Sequence, residues 1–163
     1  MEIDRLRSGD AQLQVWAGNG GFGPKGGILD GIAVIASRVF VNTLRTNNVF
    51  AIPISNGGKA GAIAAVTLNR PTEAPDGMRS FGKDSLLLVE SGGVGRLTLL
   101  KIQGSKGELT TLKAGFPGGP VSVAVVGTTG YVLEGQLSAL FGPAGPKLPP
   151  TPFRATAVEV GKP

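Results

Sequence analysis

Two aspartates, each followed by glycine, are the residues best suited to chemistry in this chain. Asp30 sits in Leu29-Asp30-Gly31-Ile32-Ala33-Val34, and 46 positions later Asp76 sits in Pro75-Asp76-Gly77-Met78-Arg79-Ser80. Three more oxygen-bearing side chains, Asn42, Glu90 and Glu134, each close a short apolar run. Carboxylates grouped with an amide suit a hard divalent cation, which takes several oxygen ligands. They also suit metal-assisted chemistry, in which the ion polarises a carbonyl and a carboxylate acts as base. A plainer use exists for each. Asp and Gly both favour turns, so Asp-Gly can simply lead into a strand. Glu90 and Glu134 can be hydrogen-bonded strand ends, so the sequence leaves both uses open.

Other chemistries are excluded by composition. The chain has no histidine and no cysteine. There can be no Ser–His–Asp triad, no cysteine nucleophile, no disulfide and no zinc site of the His/Cys kind. Two motif look-alikes also fail on context. Gly18-Asn19-Gly20-Gly21-Phe22-Gly23 matches the dinucleotide fingerprint, but Pro24-Lys25-Gly26-Gly27 follows where a helix must begin, so an inter-strand loop is expected. Ser80-Phe81-Gly82-Lys83 matches a serine–lysine nucleophile motif, which needs one helical turn. Gly82 and the strand pattern around it argue against that turn.

The net charge is +5, with a pI near 9.9, but the basic residues are spread singly. Nine aromatics offer few stacking platforms, so nucleic acid is not an expected partner. The opening Met1-Glu2-Ile3-Asp4-Arg5-Leu6-Arg7 is charged and does not read as a signal peptide. The longest apolar runs, such as Ile32 to Ala36, fall far below the ~18 residues of a membrane span. No membrane partner is expected, and the compartment is not legible.

The elements that must position the aspartates are strands. Gly and Pro make up 39 of 163 residues, which leaves little room for long helices. A repeat organises the rest. The Asp30 and Asp76 segments start two copies, and Pro120-Val121-Ser122-Val123-Ala124-Val125 starts a weaker third. Second runs follow at Val39–Asn42, Leu86–Glu90 and Tyr131–Glu134. Third runs follow at Asn48–Ile54 and Arg96–Ile102, and fourth runs at Ala62–Leu68 and Glu108–Lys113.

Four short strands recurring every 40–50 residues or so are the signature of a β-propeller blade. The fold class expected is all-β: a partial propeller of about three and a half four-stranded blades. The blades fall at 27–68, 74–113 and 120–160, the last with a Pro-rich loop, and residues 1–17 end an incomplete one. In that incomplete blade Ile3–Arg7 reads as a third strand and Gln12–Trp16 as an outer fourth. Phe153–Val160 reads as a strand after the Pro-rich loop. A β-sandwich with evenly spaced strands is the alternative.

In an antiparallel blade the start of the first strand and the end of the second share one end of the hairpin. Asp30 and Asn42, Asp76 and Glu90, and Glu134 would then share one propeller face. Innermost strands line the channel, so Asp30 and Asp76 should converge at its mouth. Closed propellers have about four to eight blades. An arc of three and a half needs self-association, a missing N-terminal half, or distortion to cover its ends.

At Ala74-Pro75-Asp76-Gly77-Met78-Arg79, with Ser85–Glu90 and Gly95-Arg96-Leu97, the sequence resembles the SMP-30/gluconolactonase family of sugar lactone lactonases. Pro120–Gly127 with Tyr131–Gln136 is similar to the last blades of its bacterial members, so the likeness is to the C-terminal half. It spans roughly Gln12 to Val160. The resemblance implies a six-bladed propeller with one divalent metal, calcium or zinc, at the channel mouth. It implies hydrolysis of a small-molecule lactone or related ester, with Asp76 as both metal ligand and general base. Asp30 stands where the family commonly carries an Asn-Gly metal ligand. From their place on the shared face, Asn42, Glu90 and Glu134 are expected as supporting or substrate-contacting groups. A further glutamate ligand of the family has no counterpart here. A non-catalytic propeller that binds or scaffolds is the competing function.

Overall fold

The computed structural model describes residues 14–18, 20–23, 27–142 and 152–163. Twelve strands and one short helix are formed among them: β1 (Leu29–Ile35), β2 (Arg38–Thr43), β3 (Asn48–Pro53), β4 (Ala64–Ala65), β5 (Thr67–Leu68), β6 (Pro75–Phe81), β7 (Ser85–Glu90), β8 (Arg96–Gln103), β9 (Lys106–Ala114), β10 (Pro120–Val126), β11 (Thr129–Glu134), α1 (Leu137–Phe141) and β12 (Arg154–Glu159). The protein is mostly β. Its strands form three sheets, ordered β1-β2-β3-β4, β5-β9-β8-β7-β6 and β10-β11-β12.

Each sheet opens with the same irregular hairpin. Leu29 pairs with Thr43 and Ile32 with Val41, so two residues of β1, Asp30 and Gly31, bulge opposite Asn42. Pro75 pairs with Glu90 and Met78 with Leu88, which sets Asp76 and Gly77 in the same bulge. In the third hairpin Pro120 pairs with Glu134 and Ser122 with Leu133, a bulge one residue shorter. Bulges re-aim side chains at sheet edges. Here they turn both Asp-Gly pairs at the start of a leading strand.

The leading strands β1, β6 and β10 pack on one another in chain order. Between the first two sheets lies one core, with Ala33, Ile35 and Phe40 meeting Met78, Leu86, Leu88 and Leu100. Between the second and third lies another, with Leu87, Val89 and Leu97 meeting Val123, Val132 and Val158. The run Leu86-Leu87-Leu88-Val89 is therefore buried throughout, because alternate residues serve the two cores. On the far face of the first sheet, Val39, Val41 and Ile52 pack with Ala17, Phe22 and Ile63.

Two expectations need correction. The fourth run Ala62–Leu68 is not one strand of the first sheet. Ala64 and Ala65 pair with β3, whereas Thr67 and Leu68 pair in parallel with β9 of the second sheet. Gly107 permits this crossing, since a Cβ there would crowd Leu68 and Val66. The sheets accordingly hold four, five and three strands among the described residues rather than four each. Of the segment 1–17 expected to end an incomplete blade, residues 1–13 lie outside the described residues, and Gln14–Trp16 form no strand.

Other readings can be compared directly. Phe153–Val160 contains β12, which pairs antiparallel with β11. The Ser80–Lys83 motif is a hairpin: β6 ends at Phe81, and Gly82 turns the chain at φ 70°. Phe22 of the Gly-rich loop packs edge-on against Phe50.

Candidate active site

The structure brings Asp30, Asp76 and Asn42 together where β1 meets β6. Asn42 is fully buried and acts as the joint. Its Oδ1 accepts the Gly31 N–H at 3.0 Å, and its Nδ2 donates to the Asp76 carbonyl at 2.6 Å. One amide thus fixes the bulge of β1 and the bulge of β6 at once. Gly31 has to be glycine for this. A Cβ there would press on the Asp76 carbonyl, the Asn42 amide at 2.6 Å and the Met78 Cβ at 3.0 Å. Gly31→Ala is expected to cost about 1–3 kcal/mol, as overpacking does, measured by urea unfolding. A cost below a few tenths would show that the leading strands move apart freely.

The two carboxyl groups lie close enough for the charge of one to act on the other. Asp76 is buried and Asp30 is exposed, so solvent reaches the pair from one side. Burial pushes the Asp76 carboxyl up, and the charge on Asp30 pushes it further, to about 7. The Gly77 N–H, donating to Asp76, only partly offsets this. Near neutral pH Asp76 therefore alternates between acid and base, the condition that favours proton transfer in catalysis.

Glu90 and Glu134 are held in separate clusters of one design. The Glu90 carboxylate accepts two bonds from Arg70, at 2.7 and 3.0 Å, one from the Thr98 hydroxyl at 2.6 Å and one from the Glu73 N–H at 2.8 Å. Glu134 accepts from the Thr156 hydroxyl and the Gly118 N–H, both at 2.7 Å. Thr98 and Thr156 occupy the same register, opposite Leu88 and Val132. The two amides likewise both lie two residues before the proline that opens the leading strand.

Burial pushes Glu90 up, but the Arg70, Thr98 and Glu73 bonds outweigh it and leave the carboxyl below its ordinary value. The Thr156 hydroxyl holds Glu134 low despite burial, with help from the Gly118 N–H. In the first sheet Thr43 stands in this register, not Asn42, and its hydroxyl accepts from Thr46 and from the Asn48 N–H.

The side chains do not fit a resident calcium or zinc ion. Calcium takes about six to eight oxygens and structural zinc about four ligands. Asp30 and Asp76 supply two carboxyls, and both ends of the Asn42 amide are bonded within the fold. Among the described residues no group of three or more His, Cys, Asp or Glu could hold a metal.

Sequence reasoning missed Arg70, which reaches Glu90 from the connection between β5 and β6, and Asn47. The Asn47 side chain accepts the Ala74 N–H at 2.9 Å and its carbonyl accepts the Thr72 hydroxyl at 2.8 Å, tying the first sheet to the approach of β6. Its positive φ of 57° suits Asn, and that turn signal was available.

No protein-family model matches this chain, and no curated protein matches it either. Among the described residues no helix is long and apolar enough to cross a membrane.

Proposed function

We propose that the three sheets are consecutive blades of a β-propeller of the SMP-30/gluconolactonase type, and that the Asp30–Asp76 pair hydrolyses a small lactone or ester. Support for the propeller comes from the shared bulged hairpin and from leading strands stacked in chain order. The observation that carries the chemistry is a buried Asp76 carboxyl raised to about 7 beside the solvent-reached Asp30.

Ionised Asp76 takes a proton from water as the water oxygen bonds to the acyl carbon. The acyl–oxygen bond then breaks, and the leaving alkoxide recovers the proton from Asp76. Asp30 does not touch the transferred proton in this scheme. Its charge keeps Asp76 basic enough to act near neutrality.

The test is turnover of a panel of γ- and δ-lactones and p-nitrophenyl esters. The rate should rise as pH passes through about 7. Asp76→Asn should lose about 10²–10⁴-fold, the usual worth of a general base. Asp30→Asn should move the midpoint to lower pH. Chelator should leave the rate unchanged, since no step draws on a metal. Full activity in Asp76→Asn would falsify the assignment.

A non-catalytic scaffold is the second reading. It is favoured by one fact: Asn42, Glu90 and Glu134 are all bonded inside the fold. Wild-type protein that turns over nothing in the panel would leave that reading standing alone.

A further inference from the structure

Most of the asparagines in the described residues are tied into the fold. Asn42 is bonded at both ends of its amide, Asn47 accepts the Ala74 N–H, and Asn69 bonds both the Leu109 N–H and the Leu109 carbonyl. Asn48 opens β3 and pairs with Thr43. Asn56 differs on every count. It is exposed in the turn that follows β3, and its side chain has no bonding partner among the described residues. The residue after it is Gly57.

That turn is held at its base and open at its tip. The Ser55 N–H and hydroxyl both donate to the Lys59 carbonyl, and Ile54 bridges Ala60. The Gly58 N–H donates to the Ser55 carbonyl at 2.9 Å, which closes a turn with Asn56 and Gly57 in its middle. Gly57 stands at φ 83°, the left-handed value that the third position of a type II turn needs. Its N–H donates to nothing among the described residues, and a Cβ there would meet no atom within 4 Å. The nitrogen next to the Asn56 side chain is thus unbonded, solvated and free of any side chain that would hinder it.

We propose that Asn56 is a self-modification site, at which the Gly57 nitrogen closes on the asparagine side chain and water turns the product into aspartate and isoaspartate. Hydroxide removes the Gly57 amide proton, and the nitrogen bonds to Asn56 Cγ. The Cγ–Nδ2 bond breaks, and the departing nitrogen takes a proton from water and leaves as ammonia. Water then opens the cyclic imide at either carbonyl. Breaking the new N–Cγ bond gives aspartate. Breaking the original peptide bond gives isoaspartate, whose main chain runs through the side-chain carbon. Nothing is oxidised or reduced, and the attack is intramolecular, so proximity alone favours it.

Isoaspartate lengthens the main chain by one carbon inside a turn clamped at its base. The Gly58 carbonyl lies within that turn and accepts the Trp16 indole N–H at 2.6 Å. Its displacement breaks that bond and loosens the hold on Ala17, which packs with Val39, Val41 and Ile52. The inference is independent of hydrolysis and of the propeller.

The experiment incubates the folded 163-residue chain at mildly alkaline pH and maps it with trypsin, which places Asn56 on the peptide Thr46–Lys59. Among peptides that carry a described asparagine, this one should be the first to exchange NH2 for OH. Fragmentation should put the change at Asn56, with isoaspartate in the product. Fluorescence of Trp16, the one tryptophan of the chain, should shift in step with the modified fraction. Asn56→Gln should abolish both changes with an unaltered starting circular dichroism spectrum, because glutamine has to close a larger ring. Asn19→Gln should leave both in place, since Asn19, although followed by Gly20, falls on another tryptic peptide. An unchanged Thr46–Lys59 peptide, conversion at Asn47 or Asn48 ahead of Asn56, conversion only after urea unfolding, or a fluorescence shift that survives Asn56→Gln would each overturn the proposal.

Discussion

Glu90→Ala is expected to destabilise the protein by about 2–4 kcal/mol, the cost of depriving its hydrogen-bond partners of a buried carboxylate when one of them, Arg70, is itself only half-buried. Glu90 is fully buried, and its carboxylate takes two bonds from Arg70 plus one each from Thr98 and Glu73. Truncation leaves the guanidinium, a hydroxyl and an amide facing a void. Glu134→Ala should cost less, about 1–3 kcal/mol, because it strands one hydroxyl and one amide and breaks no bidentate pair. Urea midpoints at pH 7 check the order. Equal costs would mean that Arg70 adds nothing to the lock.

The same two residues set an acid limit. Both carboxyls are lowered in the folded state relative to their ordinary 4.5. Their contribution is therefore complete above that value and is lost as pH falls below it through the folded values. Glu90→Ala should flatten the fall in stability as pH drops below about 4.5.

How much of this was legible follows from what each signal depends on. The apolar run Leu86–Val89 gave β7, since a strand buried on both faces reads as continuous hydrophobicity. The repeated Asp-Gly starts located two of the three leading strands and the bulges that turn them. A local pattern could not say which sheet a short edge strand joins. Ala62–Leu68 reads as one strand, yet it serves two sheets, because Gly107 lets the chain cross between them. Helix α1 escaped notice for a similar reason. Five residues without a side-chain cap carry no periodicity to read.

The site shows the same limit. Asp30 and Asp76 were singled out because type and spacing repeat. What Asn42, Glu90 and Glu134 do depends on partners far along the chain. Asn42 sits one position short of the Thr43–Glu90–Glu134 register, so it bonds backbone across two sheets while the glutamates lock their own. A single residue of slip is invisible in a list of strand ends. It decides which side chain faces the joint.

Asp76→Asn is the sharpest remaining prediction, because it should move stability and activity in opposite directions. An Asp whose folded pKa is raised binds more protons folded than unfolded between its ordinary 3.8 and about 7. Stability then falls as pH rises across that window and levels off above it. Asparagine is a neutral mimic of the protonated carboxyl: its oxygen can still accept from the Gly77 N–H, and its amide can donate to Asp30. At pH 8 the variant should therefore melt above the wild type, and at pH 4 the two should nearly coincide. Each pKa unit of difference between the states corresponds to about 1.4 kcal/mol. From 3.8 to about 7 is about three such units, and for a chain of this size each unit is an upward shift of about 3–6 °C. Asp30→Asn should reproduce part of the gain, since it removes the charge that opposes ionised Asp76. Melting curves from pH 4 to 8 decide the matter. A variant less stable than wild type at pH 8 would mean that ionised Asp76 is held by favourable contacts, and a carboxylate so held is a poor base. A more stable but inactive variant would place Asp76 among residues whose stability cost is retained for their chemistry.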